Sequence, residues 1–302
     1  MKTNKPYLLV GQGIAGTVLA HHFFQANIPF EIWDSPRHFN SSFAAGGIFN
    51  PVTGRKLEKT WMAEALFDYL FPFYQQLEAT LGKAFFYPMP LFRPFANAEM
   101  RQWLMDRKQE INHDFLDWTE EGVWVKQAGW VDAASLLESS KSYFANLGIF
   151  AERTFQEEDA DDFEAVIYCE GFHATQNPIW NKLPFLPAKG ELIRFHSNEP
   201  TRDSILNKNG FILPLPDGAF KVGATYRWDE FTPFPTASSQ DELMSKLTSM
   251  GVSKYELLET YVGIRPATQD RRPFVGMLVG NNPCLCCSSF WYQTRCNSWF
   301  RS

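Results

Sequence analysis

The decapeptide YLLVGQGIAG, residues 7–16, decides the fold of this chain. Its first four residues form a short apolar run of the kind that makes a strand buried on both faces. Glycines then follow at G-x-G-x-x-G spacing, and residues 17–25 continue with a helical pattern. A second apolar run at 30–33 ends at Asp34. The order strand, glycine turn, helix, strand predicts a βαβ unit.

The three glycines of this turn have separate physical tasks. Gly11 permits the tight turn, Gly13 lets the backbone approach a diphosphate, and Gly16 lets the helix pack closely on the sheet. A plain strand-to-helix turn is the alternative interpretation, because such turns occur in many folds. The strand before the turn and the helix after it favour a dinucleotide site.

The first helical turn and the acid that follows it complete this prediction. Ile14 and Ala15 open the helix, so their backbone lies at the positive end of the helix dipole, which attracts a diphosphate. Asp34 follows about 20 residues later, where a carboxylate accepts hydrogen bonds from ribose hydroxyls. The same carboxylate repels a 2′-phosphate and therefore disfavours NADP. FAD and NAD both remain open on this motif alone.

Composition excludes several classes of protein. The chain has 302 residues, of which 45% are hydrophobic, and this length predicts about two domains rather than a disordered segment. The net charge of −6 does not favour nucleic acid as a partner. No uninterrupted apolar stretch reaches 18 residues, so we expect no membrane-spanning helix.

The cysteines indicate a reducing compartment and no metal site. There are five, an odd number in a long chain, and this favours a cytoplasmic protein over a disulfide framework. Four of them follow the spacing C-x-C-C-x8-C from Cys284 to Cys296, which lacks the paired C-x2-C knuckles of structural zinc. We therefore expect no bound metal.

Further blocks follow the turn in a characteristic order. They are a small-residue loop at 41–51 (SSFAAGGIFNP), a strand-glycine segment at 167–171, PAKGE at 187–191, FILP at 211–214, VGAT at 222–225 and GIRP at 263–266. This ordered set resembles the D-amino acid oxidase and glycine oxidase family of FAD-dependent oxidoreductases over roughly residues 7 to 280. The likeness extends to the oxidoreductase half of bifunctional tRNA wobble-uridine modification enzymes.

The resemblance implies FAD as the cofactor and a site for it. Besides the glycine turn and Asp34, the family pattern places the flavin and diphosphate against small residues of the loop and of the later strand end. These residues are Ser41, Ser42, Ala45, Gly46, Gly47 and Gly171. At Gly171 the sequence reads Cys-Glu-Gly where the family usually has Ala-x-Gly.

The resemblance also implies the chemistry. Arg265 of GIRP is expected to grip a substrate carboxylate through two parallel hydrogen bonds, and Tyr226 and Phe211 are expected to line the substrate pocket. The expected substrate is a small amine or amino acid, which transfers a hydride to flavin N5 before the imine is hydrolysed. Neither an obligatory acid nor an obligatory base is assigned, and the oligomeric state stays open.

The resemblance implies an α/β fold with two parts. A Rossmann-like FAD-binding domain comprises residues 1–60, 130–187 and 258–302, and an inserted α+β substrate domain, built on an antiparallel sheet, comprises 61–129 and 188–257. Each range rests on one sequence, so these boundaries are expectations for the structure to address.

The C-terminal residues depart from the family pattern. Residues 281–302 contain no glycine and no alanine and hold four of the five cysteines, where the family usually has a second glycine-rich turn. One interpretation is a shift of reading frame near Leu285, with the family tail lost. The alternative functions are a catalytically impaired dinucleotide-binding relative with an aberrant tail and a tRNA wobble-uridine-modifying oxidoreductase.

Overall fold

The fold combines helices with several runs of consecutive strands in the computed structural model, which describes residues 5–36, 40–111, 113–270, 272–277 and 283–287. The α-helices within these residues are α1 (Ile14–Gln25), α2 (Ala63–Leu81), α3 (Ala98–Asp106), α4 (Lys108–Ile111), α5 (Ala133–Asn146) and α6 (Ala237–Ser249). Short 3₁₀ helices span Glu157–Asp162 and Gly171–Thr175.

The strands build two large sheets and two small ones. In chain order they are β1 (Tyr7–Val10), β2 (Phe30–Asp34), β3 (Ile48–Phe49), β4 (Val52–Thr53), β5 (Glu58–Lys59), β6 (Phe86–Pro88), β7 (Leu91–Pro94), β8 (Leu116–Trp118), β9 (Gly122–Val125), β10 (Gly129–Val131), β11 (Phe150–Glu152), β12 (Val166–Tyr168), β13 (Ala188–His196), β14 (Ile205–Asn207), β15 (Phe211–Pro214), β16 (Phe220–Gly223), β17 (Glu256–Arg265), β18 (Phe274–Met277) and β19 (Pro283–Cys287).

The first large sheet has the order β11-β2-β1-β12-β19-β18. Its pairs are parallel except for β18 with β19, which run antiparallel. Because alternate residues of a strand point to opposite faces, Leu9 packs with Phe23 of α1 and Phe144 of α5, whereas Leu8 packs on the other face with Trp180. Burial on both faces explains why β1 is apolar throughout.

The second large sheet has the order β17-β13-β16-β15-β14-β7-β9-β8. Its pairs are antiparallel except for β14 with β7. Helix α6 covers one face, where Leu243 and Leu247 pack against Ile193, Phe195 and Val222. The remaining strands form a three-stranded sheet, β3-β10-β6, and the hairpin of β4 and β5.

These sheets confirm the predicted α/β class with a parallel sheet and an antiparallel one. Strand β17, at 256–265, pairs with β13 of the antiparallel sheet, and the domain boundaries stay a prediction. Strand β19 extends the parallel sheet beside β12, so residues 283–287 occupy a regular place in the fold. The departure from the family pattern was predicted for residues 281–302, of which 281–282 and 288–302 lie outside the described residues.

Prolines predict two local features of this chain. Within a helical pattern, Pro72 predicts a kink or a division of the helix, but α2 runs undivided from Ala63 to Leu81. The apolar face of α2, with Leu66 and Phe73, is buried in a core cluster, and this packing outweighs the loss of one backbone hydrogen bond. The prolines of the aromatic segment 85–93 predict an edge strand or an irregular segment. Strand β6 of this segment lies at an edge of the three-stranded sheet, as predicted, whereas β7 lies between β14 and β9 in the interior of its sheet.

Candidate cofactor and substrate site

The fold itself requires two of the three glycines of the turn. Gly11 has φ +99°, and a Cβ there would lie 2.7 Å from the carbonyl oxygen of Cys169. A Cβ on Gly16 would lie 1.9 Å from the carbonyl oxygen of Gly11. Both contacts are shorter than real Cβ atoms allow, so these glycines permit close packing of β1, α1 and the end of β12.

Gly13 differs from its neighbours, because the protein leaves space beside it. Its φ is −73°, and the nearest atom to an added Cβ would be Ser42 Oγ at 3.4 Å. This space belongs to a cavity of about 270 Å³ lined by the glycine turn, Asp34 and the first turn of α1. The first turn of α1 carries no acidic residue, so a diphosphate there would meet the positive helix end without a competing carboxylate. The residues present therefore fit the diphosphate of FAD.

Asp34 stands at the edge of this cavity, as the sequence predicts. Its Oδ1 accepts a hydrogen bond of 3.0 Å from the backbone N–H of Gln12. The buried Gln12 side chain donates through Nε2 to the carbonyl oxygen of Leu137 on α5, over 3.1 Å. Gln12 thus fixes the turn relative to both Asp34 and α5, a task that its position between two glycines did not reveal.

A second cavity, of about 380 Å³, continues from Asp34 toward the segment after β11. It shares Gly11, Asp34 and Glu170 with the first cavity and adds Arg153, whose guanidinium lies 4.0 Å from the ring centroid of Trp33. Two adjoining cavities that are both lined by Asp34 suit a ligand whose ribose lies between a diphosphate and a base. The adenosine diphosphate part of FAD has this order.

Eight of the predicted cofactor residues line the first cavity. They are Gly11, Gly13, Ile14, Ala15, Asp34, Ser41, Ser42 and Gly171. Ser42 Oγ accepts a hydrogen bond of 3.2 Å from the backbone N–H of Ile14, so the small-residue loop caps the start of α1. Gly16 lies behind the turn instead of lining the cavity.

The second half of the loop lies against the antiparallel sheet. A Cβ on Gly46 would lie 2.7 Å from Phe211 Cζ, and a Cβ on Gly47, where φ is +70°, would lie 2.0 Å from the carbonyl oxygen of Val131. Ala45 donates its backbone N–H to the carbonyl oxygen of Ser42 over 3.3 Å. Ala45, Gly46 and Gly47 therefore shape the loop between the cavity and Phe211.

Arg265 ends β17 in a trough made by glycines. Gly190 of β13 pairs with Gly263 of β17, and a Cβ on Gly190 would lie 2.3 Å from Arg265 Nη1. A Cβ on Gly263 would lie 3.2 Å from Ala44 Cβ, so this face of the sheet packs on the small-residue loop. Arg265 Nη1 is buried, and among the described residues it has no hydrogen-bond partner.

Tyr226 covers the guanidinium. The ring centroid of Tyr226 lies 4.3 Å from Arg265 Cζ, which is a cation–π contact. Burial lowers the pKa of Arg265 below its usual value, while the Tyr226 hydroxyl acts in the opposite direction. A buried, charged guanidinium with an unpaired N–H group is stabilised by an anionic partner, and a carboxylate matches its fork geometry. Gly190 stands inside the PAKGE block but was not predicted as a site residue.

Among the histidines that the structure describes, His173 is the one that lines the two cavities. No three of the His, Cys, Asp and Glu side chains in the described ranges are placed to hold a metal ion. His21 and His22 are buried in α1, and burial lowers their pKa values to about 3 and about 4. Likewise, no helix of the described ranges is long and apolar enough to cross a bilayer.

Comparison with known proteins gives the family. The family model described as DAO, FAD dependent oxidoreductase, matches residues 7–299. The chain belongs to this family. FAD is accordingly its cofactor and oxidation–reduction its class of reaction, as the resemblance in sequence implied.

Solved structures share the fold of this family member. Glycine oxidase from Geobacillus kaustophilus superposes with a TM-score of 0.77 at 17% identity, covering 96% of this chain and 90% of that chain. Iminodiacetate oxidase from Chelativorans gives a TM-score of 0.75 at 18% identity, covering 93% and 89%. Identities this low establish the fold and leave the substrate open.

Two curated relatives match at identities above 20%. A tRNA 5-methylaminomethyl-2-thiouridine biosynthesis bifunctional protein, MnmC of Marinobacter nauticus, is 22% identical over 92% of this chain, which spans 50% of that relative. The glycine oxidase of Bacillus subtilis is 26% identical over 30% of this chain, and the match spans 26% of that relative. The chain thus spans half or less of the length of these relatives.

Proposed function

We propose that this protein oxidises a small amine or amino acid whose carboxylate is bound by Arg265. The observation that carries the proposal is the buried Nη1 atom of Arg265, which has no hydrogen-bond partner in the described part of the chain. Leaving a buried donor without a hydrogen bond costs about 1–3 kcal/mol, and more for a charged group. A ligand that accepts this hydrogen bond removes the cost. Glycine oxidase and iminodiacetate oxidase share this fold, and each of these two enzymes is named after a carboxylated amine.

The chain's own residues would bind and orient this substrate. Arg265 holds the carboxylate, Tyr226 limits the directions from which it can approach, and Phe211 lies between the small-residue loop and the sheet. When bound in the adjoining cavity, FAD supplies the acceptor for a hydride from the carbon that carries the amine. Fixing the carboxylate fixes the distance of that carbon from the acceptor, which is the main contribution the protein makes to such a reaction.

Anaerobic reduction of the flavin tests this function. The FAD-loaded protein is mixed with glycine, sarcosine, iminodiacetate, proline and alanine of both configurations, and the loss of flavin absorbance near 450 nm is followed. We expect at least one of these acids to bleach the flavin, and the matching amine without a carboxylate to do so far more slowly. Arg265→Lys is expected to raise KM by about tenfold or more, because an ammonium cannot form the two parallel hydrogen bonds.

Two other results would contradict parts of this proposal. If the protein binds FAD but no amine bleaches it, the impaired-relative interpretation of the C-terminal residues holds. If bleaching is equally fast with and without a carboxylate, and Arg265→Lys has no effect, the role proposed for Arg265 is wrong.

A tRNA-modifying oxidoreductase is the second candidate, because the MnmC relative matches 92% of this chain. A carboxymethylaminomethyl group on uridine also presents an amine and a carboxylate, so it would use Arg265 in the same way. The net charge of −6 gives little attraction for RNA, and a partner domain would have to supply it. Flavin bleaching by 5-carboxymethylaminomethyluridine, but by none of the free amino acids, would favour this candidate.

A further inference from the structure

The segment that joins β16 to α6, residues 226–236, is here called the aromatic strap. It carries four exposed aromatic side chains, with exposed fractions of 52% for Tyr226, 66% for Trp228, 38% for Phe231 and 69% for Phe234. Isolated exposed aromatics are common on proteins, but four within nine residues beside a candidate active site form a surface that water solvates poorly.

The aromatic strap is held firmly against the sheet. Lys189, which is fully buried, donates from Nζ to Glu230 Oε1 at 2.8 Å and to the Phe234 carbonyl oxygen at 2.7 Å. Glu191, also fully buried, accepts a hydrogen bond of 3.2 Å from the backbone N–H of Thr236, where α6 begins. A segment anchored by buried charges at both its middle and its end presents its aromatic rings in a fixed place.

The register of the strap aligns its rings with the arginine. Lys189 and Arg227 form an antiparallel bridge with hydrogen bonds of 2.8 and 3.0 Å in the two directions. The neighbours of a bridged pair face each other, so Tyr226 stands opposite Gly190 and Trp228 opposite Ala188, the partner of Arg265 in β17. Both aromatic side chains therefore lie on the face of the sheet that carries the Arg265 guanidinium.

The rings continue outward from the guanidinium as a stack. Tyr226 lies over Arg265 with 4.3 Å between its centroid and Cζ, and Trp228 follows with 6.2 Å between the ring centroids and 26° between the planes. At the other end of the strap, Phe231 lies 5.9 Å from Phe172, which lines the first cavity. The aromatic strap thus reaches from the candidate carboxylate site to the cofactor cavity.

We propose that the aromatic strap is a distal binding wall and that the substrate is an amino acid that carries an aromatic ring. This inference rests on the proposed function, because it takes Arg265 as the carboxylate site. A ring attached to the substrate amine would stack on Tyr226 and Trp228 while its carboxylate meets the guanidinium. The strap itself contributes the acids Asp229 and Glu230, and its Arg227 is paired with Glu242, so the occupant is a small molecule instead of a polyanion.

Ether analogues that cannot be oxidised test the wall by calorimetry on the FAD-loaded protein. Benzyloxyacetate presents a ring and a carboxylate, (cyclohexylmethoxy)acetate has the same bulk without an aromatic face, and methoxyacetate has neither ring. We expect benzyloxyacetate to bind about tenfold more tightly than methoxyacetate, with the cyclohexyl acid between them, because aromatic rings attract each other beyond what the burial of their surface gives.

Two substitutions test whether Trp228 is a ring that the aromatic ligand contacts. Trp228→Leu keeps an apolar side chain and is expected to bring the affinity ratio of benzyloxyacetate to the cyclohexyl acid close to one. Phe234→Leu removes an equally exposed ring that has no place in the stack, and should leave this ratio as in the parent protein.

The outcomes separate this inference from the proposed function. Equal affinities for all three acids, with binding still abolished by Arg265→Met, would overturn the aromatic wall and leave the carboxylate site standing. Binding of none of the acids, or binding that Arg265→Met does not change, would overturn the proposed function and the wall with it.

Discussion

Ser41 and Ile264 exchange two hydrogen bonds across the candidate site. Ser41 Oγ donates to the Ile264 carbonyl oxygen over 2.6 Å and accepts from the Ile264 backbone N–H over 3.0 Å. Ser41 belongs to the loop that lines the cofactor cavity, and Ile264 immediately precedes Arg265. One side chain therefore couples the place where FAD binds to the strand that positions the arginine.

Ser41→Ala is expected to lower the stability of the fold and to weaken the positioning of Arg265. Removing the hydroxyl leaves a partly buried N–H and carbonyl unpaired, which costs about 1–3 kcal/mol of unfolding free energy. Arg265 then follows a less firmly held strand, so KM for a carboxylated substrate should rise. Urea unfolding and steady-state kinetics measure the two effects.

Ser197→Ala is the matched control, because Ser197 Oγ also donates to a backbone carbonyl, that of Lys254, but in an exposed place. It should change stability by less than about 0.5 kcal/mol and leave KM as it was. Equal losses in the two variants would show that the link at Ser41 has no special role.

Two glycines of the turn should respond differently to alanine. At Gly13 the added Cβ would make only ordinary contacts, with Ser42 Oγ at 3.4 Å and Asn40 Oδ1 at 4.0 Å, so the apo protein should fold with nearly unchanged stability while FAD affinity falls steeply. At Gly16 the Cβ would lie 1.9 Å from the Gly11 carbonyl oxygen, so the fold itself should be destabilised. Thermal unfolding of the apo proteins and FAD titration distinguish the two. If Gly13→Ala bound FAD as tightly as the parent protein, the assignment of the first cavity to the FAD diphosphate would be wrong.

Gly190→Ala should displace Arg265 without disturbing the cofactor. The new Cβ would lie 2.3 Å from Nη1 and 2.4 Å from Nη2, and the flexible arginine is the group that can move. Losing a charge-assisted carboxylate contact would raise KM about tenfold or more. Gly276→Ala provides the control, since a Cβ there would meet no atom of the described residues within 4 Å. If KM rose equally in both variants, the proposed role of Gly190 in positioning Arg265 would be wrong.

Much of the candidate cofactor site could be predicted from the sequence, because local sequence patterns determine it. The strand at 7–10 appears at the residues expected, and most of the predicted cofactor residues line one cavity. A glycine turn between a buried strand and a helix needs no distant partner to be recognised. Strands β9 and β10 were not predicted, because they pair with β7 and β6, which lie far from them in the chain. Strand β8, which pairs locally with β9, was not predicted either.

The substrate half shows what local patterns cannot reveal. Arg265 was expected from a motif, but its trough depends on Gly190, which is 75 positions earlier in the chain. Trp228 was not predicted, because its place beside Tyr226 follows from a bridge between Lys189 and Arg227. Such contacts combine separate strands, and a single sequence carries no signal for them.

Acid should destabilise this protein through α1. His21 and His22 have pKa values of about 3 and about 4 in the folded chain, lowered by burial from 6.5. Below pH 6.5 the unfolded chain therefore binds protons that the folded chain does not, so stability is complete above this pH and falls as the pH drops. Each histidine contributes up to about 1.4 kcal/mol per pH unit in this window.

Urea unfolding at pH 7 and pH 5 measures this loss. His21→Gln keeps a hydrogen-bonding group toward Ser140, whose Oγ lies 2.8 Å from His21 Nε2, but does not titrate. It should remove about half of the difference between the two pH values. An unchanged difference in this variant would assign the acid sensitivity to other groups.

Lys189→Met should release the aromatic strap. The substitution removes three hydrogen bonds from Nζ and leaves Glu191, whose carboxylate lies 3.7 Å away and is fully buried, without its cation. Breaking a buried pair in this way costs about 3–5 kcal/mol, and Glu191→Gln in the same chain should recover part of it by removing the buried charge. Trypsin reports the strap directly, because Arg227 lies within it and should be cleaved faster in Lys189→Met than in the parent. Stability lost without faster cleavage at Arg227 would mean that Lys189 supports the sheet and not the strap.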